Sequence, residues 1–141
     1  MARIFIELPQ SFSFSTDIPL YYQHINLAGH LDNAMLLGIV GEARMRFFAS
    51  IGYQSGNIEG LRAFVGDIAV QYLSEAFHGE VMVVEVAARE FNKYGFDMVF
   101  RVSDKASGRE VARGKTGMVF YDVQAKKAAL VPESFRSKFS G

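Results

Sequence analysis

The stretch from residue 24 to residue 46, HINLAGHLDNAMLLGIVGEARMR, decides how this chain is interpreted. Its first ten residues hold two histidines and two asparagines, and a long apolar segment follows and ends in a charged Glu-Ala-Arg. The first backbone N–H groups of a helix have no intrahelical acceptor, and they can hold a developing negative charge. We therefore interpret the polar cluster as a ligand site on a helix N-terminus. The alternative interpretation is that these polar residues only cap the helix.

The apolar spacing after this cluster predicts one long helix over residues 33–51. The apolar stripe consists of Leu36, Val40, Ala43, Phe47 and Ile51, widened by Leu37 and Phe48. Asp32 or Asn33 is a natural N-cap, and Gly52 is a natural stop after the last turn. The helix is therefore expected to begin directly at the polar cluster.

Alternating apolar patterns and aromatic or β-branched residues predict five β-strands, one before the helix and four after it. The predicted strands cover residues 12–22, 63–74, 80–91, 96–103 and 110–123. Turn-sized gaps between the later strands imply antiparallel neighbours. The tail from Pro132 is predicted to be a short helical turn on the surface. This order of elements indicates an α+β domain, with one helix against a curled antiparallel sheet.

Composition limits the classes of protein that need to be considered. The 141 residues are expected to form one domain (1–141), and 50% are hydrophobic, which is typical of a globular chain. With 15 basic and 15 acidic residues, bulk electrostatics does not favour nucleic-acid binding. The absence of cysteine excludes disulfides and thiolate catalysis. No apolar run could span a bilayer and no signal-peptide layout is present, so a cytoplasmic location is expected.

The aromatic content and two glycines within the helix predict contacts beyond one small core. The chain has 13 Phe and 6 Tyr, which give more apolar surface than one small core needs. Gly38 and Gly41 each cost about 1 kcal/mol relative to alanine inside a helix. Such glycines indicate close backbone approach, either to the sheet or to a partner subunit. A homodimer or homotetramer is therefore expected.

This layout resembles the hotdog-fold acyl-CoA thioesterases, in the branch of the 4-hydroxybenzoyl-CoA thioesterase type. The resemblance covers nearly the whole chain. The matching residues are Asn26, Gly29-His30, Asp32-Asn33, Met35-Leu36-Leu37, Glu42-Ala43-Arg44, Phe47-Phe48, Gly52-Tyr53, Tyr72, Glu75-Ala76, Gly79-Glu80, Lys115-Thr116-Gly117, Asp122 and Val131-Pro132. The resemblance implies a curled five-stranded antiparallel sheet wrapped around one long central helix. It also implies hydrolysis of an acyl-CoA or acyl-carrier-protein thioester, with the site between subunits and coenzyme A present only as part of the substrate.

The chain departs from the family pattern at His24 and Asn26, where many members carry aspartates. In the best-studied branch the carboxylate at the Asn26 position is catalytic. Asparagine cannot act as a general base or a nucleophile, but it can hold a water or a carbonyl by hydrogen bonds. A branch that carries Asp-Ile-Asn before Gly-Gly-His is the most similar, with His24 in place of that Asp. The general base is therefore expected elsewhere.

The predicted site begins with three residues around the start of the helix. The backbone N–H of Asn33 is the candidate oxyanion donor. Asn26 and His30 are expected to position the thioester carbonyl or the attacking water. Two structural alternatives stay open, namely an Asx-turn role for Asn26 and a loop-pinning role for His30.

Three residues are candidates for the general base. Glu42 lies nine residues beyond Asn33, or about 13 Å along the helix axis, so it would serve a site across a dimer interface. Its alternative role is an i,i+4 ion pair with Arg46. Asp67 interrupts an apolar strand, either as an edge charge or as an acid for the partner's site. His24 is the third candidate, because a neutral imidazole can accept a proton.

Two other functions remain open at this level, and no metal or redox cofactor is implied. Zinc-binding spacing is not matched by His24, His30 and Glu42. A hotdog hydratase or dehydratase would resemble Asp-x-Asn-Pro-x-His, but here a histidine occupies the Asp position and the second histidine comes six residues later. A non-catalytic acyl-CoA-binding protein is the other alternative.

Overall fold

The computed structural model describes residues 3–139. The elements run in the order β1 (Phe14–Pro19), α1 (Asn33–Ser50), β2 (Arg62–Tyr72), β3 (Val81–Arg89), β4 (Gly95–Asp104), β5 (Glu110–Asp122), β6 (Lys127–Ala128) and α2 (Glu133–Arg136). Single 3-10 turns lie at Tyr22–His24 and Ser137–Phe139. The strands form one antiparallel sheet in the order β1-β3-β4-β5-β2, and the two-residue β6 pairs with β5. This architecture confirms the α+β fold, with one long helix and five main antiparallel strands.

The helix α1 packs on the β1 and β3 side of the sheet. Its buried face consists of Leu36, Ile39, Val40, Ala43, Phe47 and Phe48. The side chain of Asp32 caps the N-terminus by accepting hydrogen bonds from the backbone N–H groups of Ala34 and Met35. Gly52 has a φ of +97°, a left-handed conformation that ends the helical path. Both predicted helix signals are therefore confirmed.

The sheet does not approach the two helix glycines closely, so this part of the prediction is wrong. A Cβ atom added at Gly38 would meet no atom within 4 Å, and one added at Gly41 would meet only Nη2 of Arg44, at 3.5 Å. The sheet covers the opposite face of α1, so these positions lie beside open space. Of the two predicted neighbours, only a partner subunit remains.

Strand β2 forms one edge of the sheet, and its inner face is only partly covered by the rest of the chain. Val65 and Ile68 pair with the buried residues Met118 and Thr116, so they point to the same face of the sheet as α1. They are nevertheless 43% and 41% exposed, and Tyr72 further along β2 is 50% exposed. An edge strand with free backbone groups and exposed apolar side chains is a surface on which another chain can pair.

The first strand differs most from its predicted bounds. The first strand is shorter than the predicted 12–22, because the chain leaves β1 at Pro19 and turns through the 3-10 segment Tyr22–His24. The tail forms the predicted helical turn on the surface, where Glu133, Ser134, Arg136, Ser137 and Lys138 are exposed. One of its side chains is nevertheless buried. Phe135 in α2 is 0% exposed, and its ring lies 5.1 Å from Phe96 and 5.2 Å from Phe120, measured between centroids. The tail therefore closes one end of the core.

Candidate active site

The first turn of α1 leaves one backbone N–H group available. Oδ2 of Asp32 accepts from the N–H of Ala34 at 3.0 Å and of Met35 at 3.2 Å, and the N–H of Leu36 donates to the Asp32 carbonyl at 3.0 Å. The Asn33 N–H has no acceptor among the residues that the structure describes. It is therefore free to donate to a bound oxygen at the positive end of the helix dipole.

A cavity of about 240 Å³ opens beside this turn. It is lined by the start of α1, the end of β2 and the loop between β2 and β3: His30, Leu31, Asp32, Asn33, Leu36, Tyr72, Leu73, Ser74, Glu75, Ala76 and Val111. The Tyr72 hydroxyl donates to the carbonyl of Asn33 at 3.0 Å and ties the end of β2 to the helix start. The cavity therefore combines an apolar wall with donors and acceptors.

His30 and Glu75 face each other at this cavity. Nε2 of His30 lies 3.7 Å from Oε1 of Glu75, and the two side chains are 29% and 64% exposed. The sequence motif predicts a site role for His30 but none for Glu75 or Tyr72. The only sequence signal for these two residues was their place among the positions that match the family pattern.

Asn26 shapes the loop that carries His30. Its Oδ1 accepts from the backbone N–H of Ala28 at 3.0 Å and of His30 at 3.5 Å, and its own N–H donates to the His30 carbonyl at 3.0 Å. These contacts form the Asx-turn arrangement that was one of the two alternatives. Asn26 does not line the cavity, so it can act on the site through the position of His30.

His24 and Glu42 lie at a different cavity, of about 450 Å³, between the end of β1 and the exposed side of α1. Nδ1 of His24 accepts from the N–H of Tyr21 at 2.9 Å. Oε2 of Glu42 lies 2.8 Å from Nε of Arg46, so the predicted i,i+4 pair forms. Gly38 lines the same cavity, and the open space at this glycine lies next to the Glu42 carboxylate.

Asp67 lies on the edge strand β2, away from both cavities. Its Oδ1 is 2.8 Å from Nζ of Lys115, which also lies 3.4 Å from Asp97. The hydrogen bond to Asp67 raises the pKa of Lys115, while burial of the ammonium group opposes that shift. The Asp67 side chain is 67% exposed. Of its two predicted roles, this environment matches an edge charge, and the role as an acid for a partner's site stays a prediction.

The six predicted site residues are thus distributed over three places. His30 and Asn33 line one cavity, and Asn26 lies outside it, in the loop that carries His30. A second cavity holds His24 and Glu42, while Asp67 lies at the sheet edge.

Within residues 3–139 no three His, Asp or Glu side chains gather closely enough to hold a metal ion. No helix of the described part is both long and apolar enough to cross a membrane.

One long helix on a five-stranded antiparallel sheet, with a cavity at the helix N-terminus, defines a hotdog protein. The sequence profile of the thioesterase-like superfamily matches residues 21–139, and the chain belongs to that family. No curated protein matches this chain at a significant level.

Solved structures support the same fold. A putative thioesterase from Pseudomonas aeruginosa, PA2801, has a TM-score of 0.84 at 19% identity over 92% of this chain and 100% of its own. A thioesterase from Thermus thermophilus, complexed with coenzyme A and Zn, has a TM-score of 0.79 at 21% identity, covering 93% and 100%. Slr0204, a 1,4-dihydroxy-2-naphthoyl-CoA thioesterase from Synechocystis, has a TM-score of 0.73 at 16% identity, covering 89% and 94%.

Proposed function

We propose that this protein hydrolyses the thioester of an acyl-CoA, or of an acyl carrier protein, to a free acid and a thiol. The observation that carries the proposal is the free N–H of Asn33 at the start of α1, because Asn33 and His30 line the same cavity. One backbone donor aimed at a developing oxyanion is worth about 3–4 kcal/mol in the transition state. The coenzyme A bound to the Thermus relative and the activity given for Slr0204 favour the same substrate class.

In the proposed reaction, water adds to the thioester carbon while the Asn33 N–H stabilises the oxyanion. His30 positions the water or the carbonyl, and Asn26 fixes the loop that carries His30. The water proton passes to a carboxylate, for which we favour Glu42 of the partner subunit's helix. The carbon–sulfur bond then breaks, and the thiolate leaves and takes up a proton. Asp67 and His24 are the alternative bases.

The proposal is tested by turnover of a panel of acyl-CoAs, with release of free thiol followed in a colorimetric assay. We expect turnover of at least one acyl-CoA. Saturable binding without thiol release would favour the non-catalytic acyl-CoA-binding protein. Reversible addition of water to an enoyl-CoA, with the thioester intact, would favour the hydratase alternative. Either result would overturn hydrolysis as the function.

The protein is expected to be at least a dimer at micromolar concentration. The exposed apolar edge of β2 and the open helix surface at Gly38 provide contact surfaces for a second copy. Glu42 also requires a second chain if it is to act at the Asn33 cavity, because both lie on the same rigid helix. Light scattering coupled to size-exclusion chromatography measures the mass directly. A monomer would contradict the shared site.

Replacement of Asn26 by alanine is expected to lower kcat by roughly tenfold to a thousandfold, because the loop that holds His30 loses its Oδ1 acceptor. Asn26→Asp is the matched control, since it keeps that acceptor, and it should retain most of the rate. The measurement is thiol release at saturating substrate. An unchanged kcat in Asn26→Ala would show that this position has no part in the reaction.

A further inference from the structure

Glu75 is a carboxylate at the Asn33 cavity to which the proposed reaction assigns no role. It lies in the loop between β2 and β3, and it lines the cavity together with His30. His30 is its only ion-pair partner among the residues that the structure describes. The other carboxylates nearby are engaged: Asp32 caps α1, and Glu80 binds Arg109 and the N–H of Phe77.

The backbone holds the two facing loops at a fixed separation. The N–H of Leu31 donates to the carbonyl of Ala76 at 2.7 Å, which joins the residue after His30 to the residue after Glu75. Ala76 is 1% exposed and belongs to the core. On the other side of Glu75, the hydroxyl of Ser74 donates to the carbonyl of Glu110 at 2.7 Å. The separation of the two backbone segments that carry His30 and Glu75 is therefore set by the fold.

The chemistry of this pair follows from the atoms that face each other. The carboxylate oxygen can only accept hydrogen bonds, so it favours the imidazole form that carries its proton on Nε2. The other nitrogen, Nδ1, is then an acceptor. The observed 3.7 Å is longer than a hydrogen bond, and the exposed Glu75 side chain can close the difference by rotation when substrate fills the cavity.

We propose that Glu75 is a positioning residue, whose carboxylate fixes His30 as the Nε2–H tautomer and leaves Nδ1 to accept a hydrogen bond from the hydrolytic water. This inference rests on the proposed thioester hydrolysis. His30 itself orients the water, and Glu75 acts through His30. The other ionisable groups at the cavity have separate contacts, because Asp32 caps the helix and the Tyr72 hydroxyl binds the Asn33 carbonyl.

The kinetic test compares three substitutions of Glu75. Glu75→Ala removes the acceptor, and we expect kcat to fall about tenfold to a hundredfold with KM nearly unchanged. Glu75→Gln keeps an acceptor oxygen at the same place and should restore most of the rate. Glu75→Lys presents only donors and should be as slow as Glu75→Ala. Glu59→Ala, whose carboxylate contacts the Tyr53 hydroxyl far from the cavity, is the control and should keep the wild-type rate.

The second readout needs no turnover. Nitrogen-15 spectra of the neutral histidine rings distinguish the two tautomers, and a His30→Gln variant assigns the signals among only three histidines. We expect His30 to be the Nε2–H tautomer in the wild type and in Glu75→Gln, and a mixture in Glu75→Ala. Thermal unfolding of the same samples verifies that each variant is folded.

The outcomes separate this inference from the proposed function. An unchanged tautomer in Glu75→Ala overturns the inference, and so does a changed tautomer with an unchanged kcat. Loss of rate in Glu75→Gln as large as in Glu75→Ala also overturns it, because the acceptor oxygen is then not what matters. If the wild-type protein turns over no acyl-CoA, the proposed function fails, while the tautomer change would still support the Glu75–His30 pair.

Discussion

Replacing Glu42 by glutamine is expected to lower kcat by about a hundredfold or more, measured with an acyl-CoA that the wild-type protein hydrolyses. Glutamine keeps the shape of the side chain and an oxygen that can accept from Arg46, but it cannot take up the proton of the attacking water. The measurement is steady-state thiol release by the wild type and the variant at the same oligomeric state. A variant with wild-type kcat would show that this carboxylate is not the base.

The position of Glu42 on α1 is the reason for this expectation. Nine residues separate it from Asn33, so the two lie about 13 Å apart along one helix, too far to meet a single substrate carbonyl. Glu42 is half exposed and lies beside the open surface at Gly38, where the chain's own atoms leave room for a second subunit. A helix also holds its carboxylate more rigidly than a loop would.

Matched variants separate the proton-accepting role from the ion pair. Arg46→Gln breaks the same pair and leaves the carboxylate in place, so it should keep kcat while lowering stability, because Arg46 also donates to Thr16 and to the Asp17 carbonyl. Asp67→Asn should keep the wild-type rate. If Glu42→Gln keeps its rate while Asp67→Asn loses it, the base is Asp67. Loss of rate in His24→Asn alone would assign the base to His24.

Replacing Phe135 by alanine is expected to lower the free energy of unfolding by about 3–5 kcal/mol, the usual cost of emptying a fully buried aromatic site. Phe135 is 0% exposed and packs between the sheet and the tail, with ring centroids 5.1 Å from Phe96 and 5.1 Å from Phe139. Urea unfolding of the wild type and the variant measures the difference, provided that both unfold in one step.

Two further variants calibrate this result. Phe135→Leu keeps most of the volume and should cost clearly less than alanine. Leu130→Ala removes a side chain that is 60% exposed just before this tail, and it should change stability by no more than about 0.5 kcal/mol. A loss below about 1 kcal/mol in Phe135→Ala would contradict the burial of this ring in the core.

Local features of the sequence were sufficient for the main elements. The predicted helix 33–51 and the observed Asn33–Ser50 differ by one residue, because apolar periodicity, the Asp32 cap and Gly52 are all read within a few residues of one another. Four of the five main strands likewise lie within two residues of their predicted ends. The family resemblance, which is also carried by short motifs, gave the hotdog architecture correctly.

The tertiary structure decided which side chains meet. The sheet places the loop after β2 against the start of α1, and only this long-range register brings Glu75 to His30. The burial of Phe135 has the same origin. The segment around it is short and mostly polar, and whether the Phe135 ring is buried depends on which part of the core the sheet leaves uncovered. The sequence determined the local elements and the helix N-terminus, because short-range hydrogen bonds and periodicity fix them. The composition of the cavity depended on strand pairing between distant residues, which no local pattern encodes.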